Sequence, residues 1–212
     1  EQAVFANKFF ILFVWGRQVK YLTYSEDRSS QVLALSDCSI GGFDVVIEFG
    51  ASNGETLLGI HSRFPEPKKV AIDCYQPELW PVRQFDYYCI DLNDQESLKH
   101  TVQRFHGQKV FLLGLDVLEH LDHPLELLKM LVNEPFGVGS QGFFIVPNFA
   151  SIRMLMSWAN GCLPREKFGF FDEGHLRWLS KKDFVKLDEL GAQVKIKGVK
   201  SCSRVVSLTQ SL

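Results

Sequence analysis

The stretch LDVLEHLDHPLELL, beginning at Leu115, sets Asp116, Glu119, His120 and His123 among leucines directly after the apolar run KVFLLG. Two kinds of chemistry suit these residue types. An imidazole can take a proton from a nucleophile near neutral pH, with a neighbouring carboxylate to orient or charge it. His120 is the first candidate for that role, His175 the second, and Glu119 the orienting acid. Asp116, Glu119 and His120 also stand at i, i+3 and i+4 on one face of a helical turn, an oxygen-rich set that would favour magnesium over zinc. No further ligand is evident in the sequence, so no metal is assigned. Glu119 and His120 equally suit the first turn of a helix as packing residues. His123, beside Pro124, is expected to face solvent.

Strands must position these groups. From Phe43 onward, DVVIEF, KKVAID, DYYCID, KVFLLGL and GFFIVP alternate with helix-like stretches after Gly54, in NDQESLKHTVQRF and in PLELLKMLV. This is the pattern of a parallel sheet covered on both faces. Leu121, Leu125, Leu128 and Val132 recur at helical spacing, with Asp122 and Pro124 as the N-terminal signal. In SKKDFVKLDELG, Ser180 and Asp183 hold capping-box positions, Phe184, Leu187 and Leu190 form a stripe, and Gly191 is the stop. AQVKIKGV and SRVVSLT suit an antiparallel pair at one edge.

The first of these strands runs into GASNGET, giving Glu48, Gly50, Ser52 and Gly54 at alternate positions just before a helix. In open α/β sheets ligands sit beyond the carboxyl ends of the strands, and a glycine turn after the first strand is the usual entry. The dinucleotide fingerprint fails at Ser52 and Glu55, and Glu55 would oppose a pyrophosphate. A nucleoside carrying its own positive charge meets no such objection; a tight turn with no ligand is the plainer alternative. Asp73 ends the second strand, where an acid can accept both ribose hydroxyls, and Asp91 ends the third, where a carboxylate suits an exocyclic adenine amine. Because the sheet's winding reverses between the first and fourth strands, Gly50 and Asp116 should line one crevice. Asp116 and Val117 then meet the far end of the ligand, while Glu119 and His120 face the reacting partner.

Composition bounds the rest. The 212 residues fit a single domain, and a hydrophobic fraction of 46%, a charged fraction of 23% and a net charge of −2 demand neither nucleic acid nor an anionic membrane. Five cysteines without a C-x-x-C pair suggest no zinc site and no disulfide framework, and make a reducing, cytoplasmic location the expectation. KFFILFVW falls far short of the ~20 residues of a membrane span and lacks the context of a signal peptide; it is expected to be a buried strand or helix.

Taken in order, these motifs resemble class I S-adenosylmethionine-dependent methyltransferases. Glu48 to Gly54 look like their E/D-x-G-x-G-x-G loop, Asp73 like the ribose acid, Asp91 like the adenine contact, and LDVLEHL like the segment after the fourth strand. VPNF and FGFFDEGHLRWLSKKDF are similar to a bacterial small-molecule subgroup, of the type 11/23 kind, with P-N and D-x-x-H-x-R-F-x-T signatures. The resemblance covers roughly residues 43 to 190, with Ser52 in place of the middle glycine and no matching motif in the first forty residues.

It implies a Rossmann-like α/β fold: a mostly parallel seven-stranded sheet with helices on both faces and an antiparallel C-terminal strand pair. The single domain, 1–212, would divide into an N-terminal segment (1–42) that could form a lid, a cofactor-binding core (43–150), an acceptor-pocket insertion (151–180) and a C-terminal helix with edge strands (181–212). The cofactor is S-adenosylmethionine, leaving as S-adenosylhomocysteine, held by Glu48, Gly50, Ala51, Ser52, Asn53, Gly54, Asp73, Cys74, Asp91, Leu92, Asp116 and Val117. Asn148, Arg177 and Trp178 would contact the substrate, whereas Trp158 and Phe168 are expected to pack in the core. The partner is a small-molecule acceptor, with a sugar or a glycan or secondary-metabolite precursor favoured, and no nucleic acid. Two alternatives stay open: a catalytically silent binding or partner domain, and a metal-dependent enzyme of the E-x-x-E-H kind acting on RNA.

Overall fold

The computed structural model describes residues 8–14, 27–36, 39–75, 85–147, 149, 152–162, 165, 171–185, 187, 195–196 and 203–207. Five parallel strands form its centre: β2 (Val45–Phe49), β3 (Lys68–Asp73), β4 (Asp86–Cys89), β5 (Val110–Leu115) and β6 (Gln141–Pro147), side by side in the order β4-β3-β2-β5-β6. β2 is buried at every position, as a strand covered on both faces must be. Alternation sends Val45, Ile47 and Phe49 to one face and Val46 to the other. The first face is covered by α3 (Gln95–Val102), α4 (Pro124–Asn133) and α6 (Lys181–Val185), through Leu98, Val102, Leu127, Leu131 and Phe184. The second is covered by α1 (Ser29–Leu35) and α2 (Glu55–His61), through Val32, Leu57 and Ile60. Each such aliphatic or aromatic side chain, fully buried, contributes about 1.5–3 kcal/mol. Register brings the strand ends level, since Phe49 pairs with Ile72 on one side and Gly114 on the other.

Seven strands were expected; the sheet has eight. The extra one is β1 (Lys8–Val14), from the N-terminal apolar run, which lies parallel to β6 from Lys8 opposite Gln141 to Val14 opposite Pro147. That run is therefore a strand, one of the two forms its composition allowed. β8 (Ser203–Ser207) runs antiparallel to β1, and β7 (Lys195–Ile196) antiparallel to β8, so the C-terminal strands reach the parallel block only through β1. The sequence carries no motif in β1 that marks this place; its pairing with β6 and β8 puts it in the sheet.

Three local expectations need correction or restriction. α4 begins with Pro124 after an N-cap His123 that makes no side-chain cap bond, and Asp122 instead lies 3.9 Å from the Arg177 guanidinium. Trp158, on α5 (Ile152–Ala159), is 55% exposed and not a core residue; Phe168 lies outside the described residues. α6 is described over Lys181–Val185, where the Ser180 N–H and hydroxyl both donate to Asp183 Oδ2, at 2.7 and 2.8 Å, while Leu190 and Gly191 lie outside the described residues. Among the described residues, no helix is long and apolar enough to cross a membrane.

Candidate active site

The bend after β2 is built from left-handed residues: Gly50 at φ 68°, Ser52 at 47° and Gly54 at 72°. Ser52 adopts this conformation without being glycine, so the missing middle glycine does not undo the turn. Gly50 is required for a second reason, because a Cβ there would stand 2.7 Å from Val117 Cγ2. This contact puts the bend and the residues after β5 across one crevice, as the winding of the sheet implies. The Gly50 N–H donates to Ile72 O at 2.9 Å, the Gly54 N–H donates to Ala51 O at 2.7 Å, and Ala51 is buried beneath the turn with Asn53 half-buried beside it.

Asp73 closes the bend from β3. One oxygen accepts the Ser52 N–H at 2.7 Å and the other accepts the Tyr75 N–H at 2.9 Å. Each carboxylate oxygen retains a lone pair, so the group can brace the turn and still receive ligand hydroxyls. Asp91, beyond β4, is exposed and accepts the Asn93 N–H at 2.9 Å, and Leu92 beside it is buried. Cys74 is exposed, and its thiol is pushed up by desolvation and then by the charges of Asp73 and Asp91, which places those acids around one spot. Behind the bend Glu48 is buried, its Oε2 without a hydrogen-bond partner, and its pKa is raised to about 8 by burial, against the lowering influence of Arg28 and with smaller raising ones from Asp73 and Asp27.

Past β5 the chain makes a short helical turn, Leu118–His120. Asp116 precedes it at φ 52° and its carboxylate is bonded to Arg28 Nη1 at 2.6 Å, so it does not join Glu119 and His120 in a common ligand set. His175 takes that place. Its ring lies 4.8 Å from that of His120, and its Nε2 is 3.8 Å from Glu119 Oε1. Glu119 is fully buried, with neither carboxylate oxygen hydrogen-bonded, and is pushed well above the usual carboxylate range by desolvation and next by Asp116. Its backbone carbonyl accepts from both Leu176 and Arg177, at 2.8 and 3.0 Å, which fastens the histidine-bearing segment 172–177 to the turn after β5. Asp172 shapes that segment by accepting the Gly174 N–H at 2.7 Å. Donor atoms of Glu119, His120 and His175 all lie within 4.8 Å of one another, a grouping able to hold a metal ion. His123 is exposed, as expected.

On the outer side Phe149, buried, meets His175 edge to face at 5.6 Å and stacks on Trp178 at 5.9 Å; Trp178 in turn approaches Trp158 at 6.5 Å. Trp178 thus continues a row of rings outward from the histidines. Arg177 is turned the other way, with Nε donating to Asp122 O at 2.7 Å. Asn148 lies outside the described residues. Sequence reading missed Arg28, and it gave no role to Asp172 and Phe149, although both stand in quoted motifs. The first sits in a segment without periodicity; the Asp-x-Gly turn in DEGH was the available signal for the second.

No family model matches the sequence, and no curated protein matches it either. Solved structures do. An O-methyltransferase family protein from Burkholderia thailandensis superposes with a TM-score of 0.60 at 11% identity, over 87% of this chain and 56% of that one, so this chain spans little more than half its length. A SAM-dependent methyltransferase from Archaeoglobus fulgidus gives 0.61 at 14% identity, over 86% of this chain and 91% of that one. This is the methyltransferase fold. The plantazolicin methyltransferase BpumL, solved in complex with SAH, gives 0.55 at 13% identity over 89% of this chain and 83% of BpumL.

Proposed function

We propose that this methyltransferase-fold chain transfers a methyl group from S-adenosylmethionine to a small-molecule acceptor. One observation carries the reading: the left-handed bend Gly50–Gly54, braced by Asp73 and facing Val117. Acids stand at the end of β3 and just beyond β4, where carboxylates can meet the hydroxyls and the amine of a nucleoside. The methyltransferase neighbours support it at the level of fold, and BpumL with SAH shows such a fold holding the product nucleoside.

Asp73 would receive the ribose hydroxyls, Asp91 and Leu92 the adenine edge, and Asp116 and Val117 the amino-acid end. The bound sulfonium supplies an electrophilic methyl carbon. This chain aligns the acceptor and takes its proton. His120 suits the second task. Its Nδ1 lies 3.0 Å from Gly174 O, which can only accept, so in the neutral ring the hydrogen is on Nδ1 and Nε2 is bare. As the acceptor oxygen or nitrogen bonds to the methyl carbon, the carbon–sulfur bond breaks, its electron pair stays on sulfur, and the acceptor proton moves to His120 Nε2. Glu119 and His175 hold that ring in place. Trp178, with Phe149 behind it, offers a flat wall for a sugar or planar ring.

A second reading has a specific observation in its favour: the convergence of Glu119, His120 and His175. With Asp116 withdrawn and His175 added, two imidazoles and one carboxylate suit manganese or zinc better than magnesium. An ion there would polarise an acceptor hydroxyl directly. The net charge of −2 speaks against RNA as that acceptor.

Calorimetric titration with S-adenosylmethionine and S-adenosylhomocysteine tests the proposal. Saturable binding of both is expected; absence of heat with either at millimolar ligand overturns the enzyme reading and leaves a silent partner domain.

A further inference from the structure

α5 is seated with apolar side chains outward. Among the described residues its buried one is Met154, which closes on Phe149 and Phe171 in a small cluster apart from the main core, whereas Leu155, Met156 and Trp158 stand in solvent. Leu155 and Trp158 lie three residues apart and so share one face, with exposed Ala159 continuing it. An amphipathic helix ordinarily turns its apolar stripe inward. Here an apolar face is left open.

This face is joined to the histidines. From the His175 ring, 4.8 Å from that of His120, a row of aromatic rings passes to Phe149 edge to face at 5.6 Å, to Trp178 stacked at 5.9 Å and to Trp158 at 6.5 Å. Exposure climbs along it, from 6% at Phe149 to 46% at Trp178, 55% at Trp158 and 59% at Leu155. The row is a ramp from the imidazoles to the surface. Arg177, the charged neighbour of Trp178, turns instead to Asp122 O at 2.7 Å. Leu155, Met156, Trp158 and Trp178 together leave roughly 500 Å² open, more than scattered single residues would and short of the about 800 Å² per partner of a stable protein interface. The net charge of −2 gives no hold on an anionic lipid surface. What fits the row is narrow, uncharged and apolar, and it ends at the imidazoles.

Building on the reading of His120 as the group that meets the acceptor, we infer that the acceptor carries a hydrocarbon tail, an alkyl, acyl or isoprenoid chain, which lies outward over Trp178, Trp158 and Leu155 while its head stands against His120. A sugar or planar head is covered by one ring. The apolar positions beyond Trp178 have nothing to do for such a head, whereas a hydrocarbon chain laid on them removes apolar surface of both partners from water. Because the row ends in solvent, a longer tail gains contact without meeting a wall.

The test uses n-alkyl β-D-glucosides with tails from butyl to octyl, titrated by calorimetry below their micelle thresholds into the full chain saturated with S-adenosylhomocysteine. Each added methylene should tighten binding about 2-fold, the effect of burying about half of it, so octyl should bind at least about 10-fold better than butyl. Leu155→Ser combined with Trp158→Ser should reduce that gap below about 3-fold and keep S-adenosylhomocysteine affinity within about 2-fold. Val138→Ser, at an exposed residue ahead of β6 and so at the other end of that strand from Phe149, should leave the gap intact. No dependence on tail length, the same dependence in the double variant, or an equal loss in Val138→Ser overturns the inference and leaves the donor reading standing. So does a dimer in sedimentation velocity, or binding to phosphatidylcholine vesicles, that the double variant abolishes, since the face would then belong to a second copy or to a lipid surface. Wild-type protein that fails to bind S-adenosylhomocysteine overturns both.

Discussion

The backbone N–H of Ser52 donates to the carboxylate of Asp73 across 2.7 Å, so the bend after β2 is tied to the end of β3. The same carboxylate receives the N–H of Tyr75. One side chain thus shapes the turn and, in the proposed function, also meets the ligand. Asp73→Ala should lower the unfolding free energy by about 1–3 kcal/mol, the range for losing charge-assisted hydrogen bonds, and weaken S-adenosylhomocysteine at least 10-fold. Asp73→Asn, which keeps one acceptor oxygen, should recover part of the stability and less of the affinity. Urea unfolding and calorimetry on the two variants check this.

Gly50 faces Val117 with no room for a methyl group and sits in the left-handed region. Gly50→Ala should cost roughly 2–4 kcal/mol, combining left-handed strain with overpacking. Adding Val117→Ala removes the 2.7 Å contact, leaving Val117 Cβ at 3.1 Å, and does not touch the strain, so the double variant should be more stable than additivity of the two single changes predicts. A double-mutant cycle in urea would show the coupling; strict additivity would contradict the geometry.

Glu48 gives a pH signature. Its carboxyl is raised to about 8 in the folded chain from an ordinary value of 4.5, with burial as the leading cause. Between those values the folded state holds a proton that the unfolded state has released. The stability due to this group is therefore fully present below pH 4.5 and is lost as pH rises through 8, with a slope approaching about 1.4 kcal/mol per pH unit in between. Glu48→Gln should remove that slope. Urea midpoints of both proteins at pH 6, 7 and 8.5 would reveal it, and identical pH dependence would refute the assignment.

His120→Gln should lower methyl transfer by about 10²–10⁴-fold, the usual worth of a general base, while leaving S-adenosylhomocysteine affinity within about 2-fold, since the proposed function sets the ring against the acceptor. Unchanged turnover would remove His120 from the chemistry.

A chelator separates the two site readings. With His120 as the proton acceptor, turnover in EDTA should equal turnover in added manganese. Loss in EDTA with recovery in manganese would move the assignment to an ion held by Glu119, His120 and His175.

The strand ends proposed to meet the nucleoside were legible because parallel strands leave a strong imprint: a continuous apolar run that stops at an acid. Asp73 and Asp91 were found at strand ends this way, and Gly50 by the need for a turn. The histidine cluster was only half legible. Helical spacing grouped Asp116 with Glu119 and His120, but a left-handed φ at Asp116 and the pull of Arg28 break that grouping. Spacing describes neighbours along the chain, whereas Arg28 and His175 arrive from far away in it. β1 escaped for a related reason, since strand pairing is a property of the backbone of two segments and not of either sequence alone.

A single oxygen, the Glu119 carbonyl, pins Leu176 and Arg177 and so brings His175 to His120. During synthesis, a nascent chain can acquire the acids and the glycine bend of β2, β3 and β5 well before residues beyond 177 leave the ribosome. His175 follows the whole parallel block in the chain, so the two histidines can meet only once the chain has been made through Arg177.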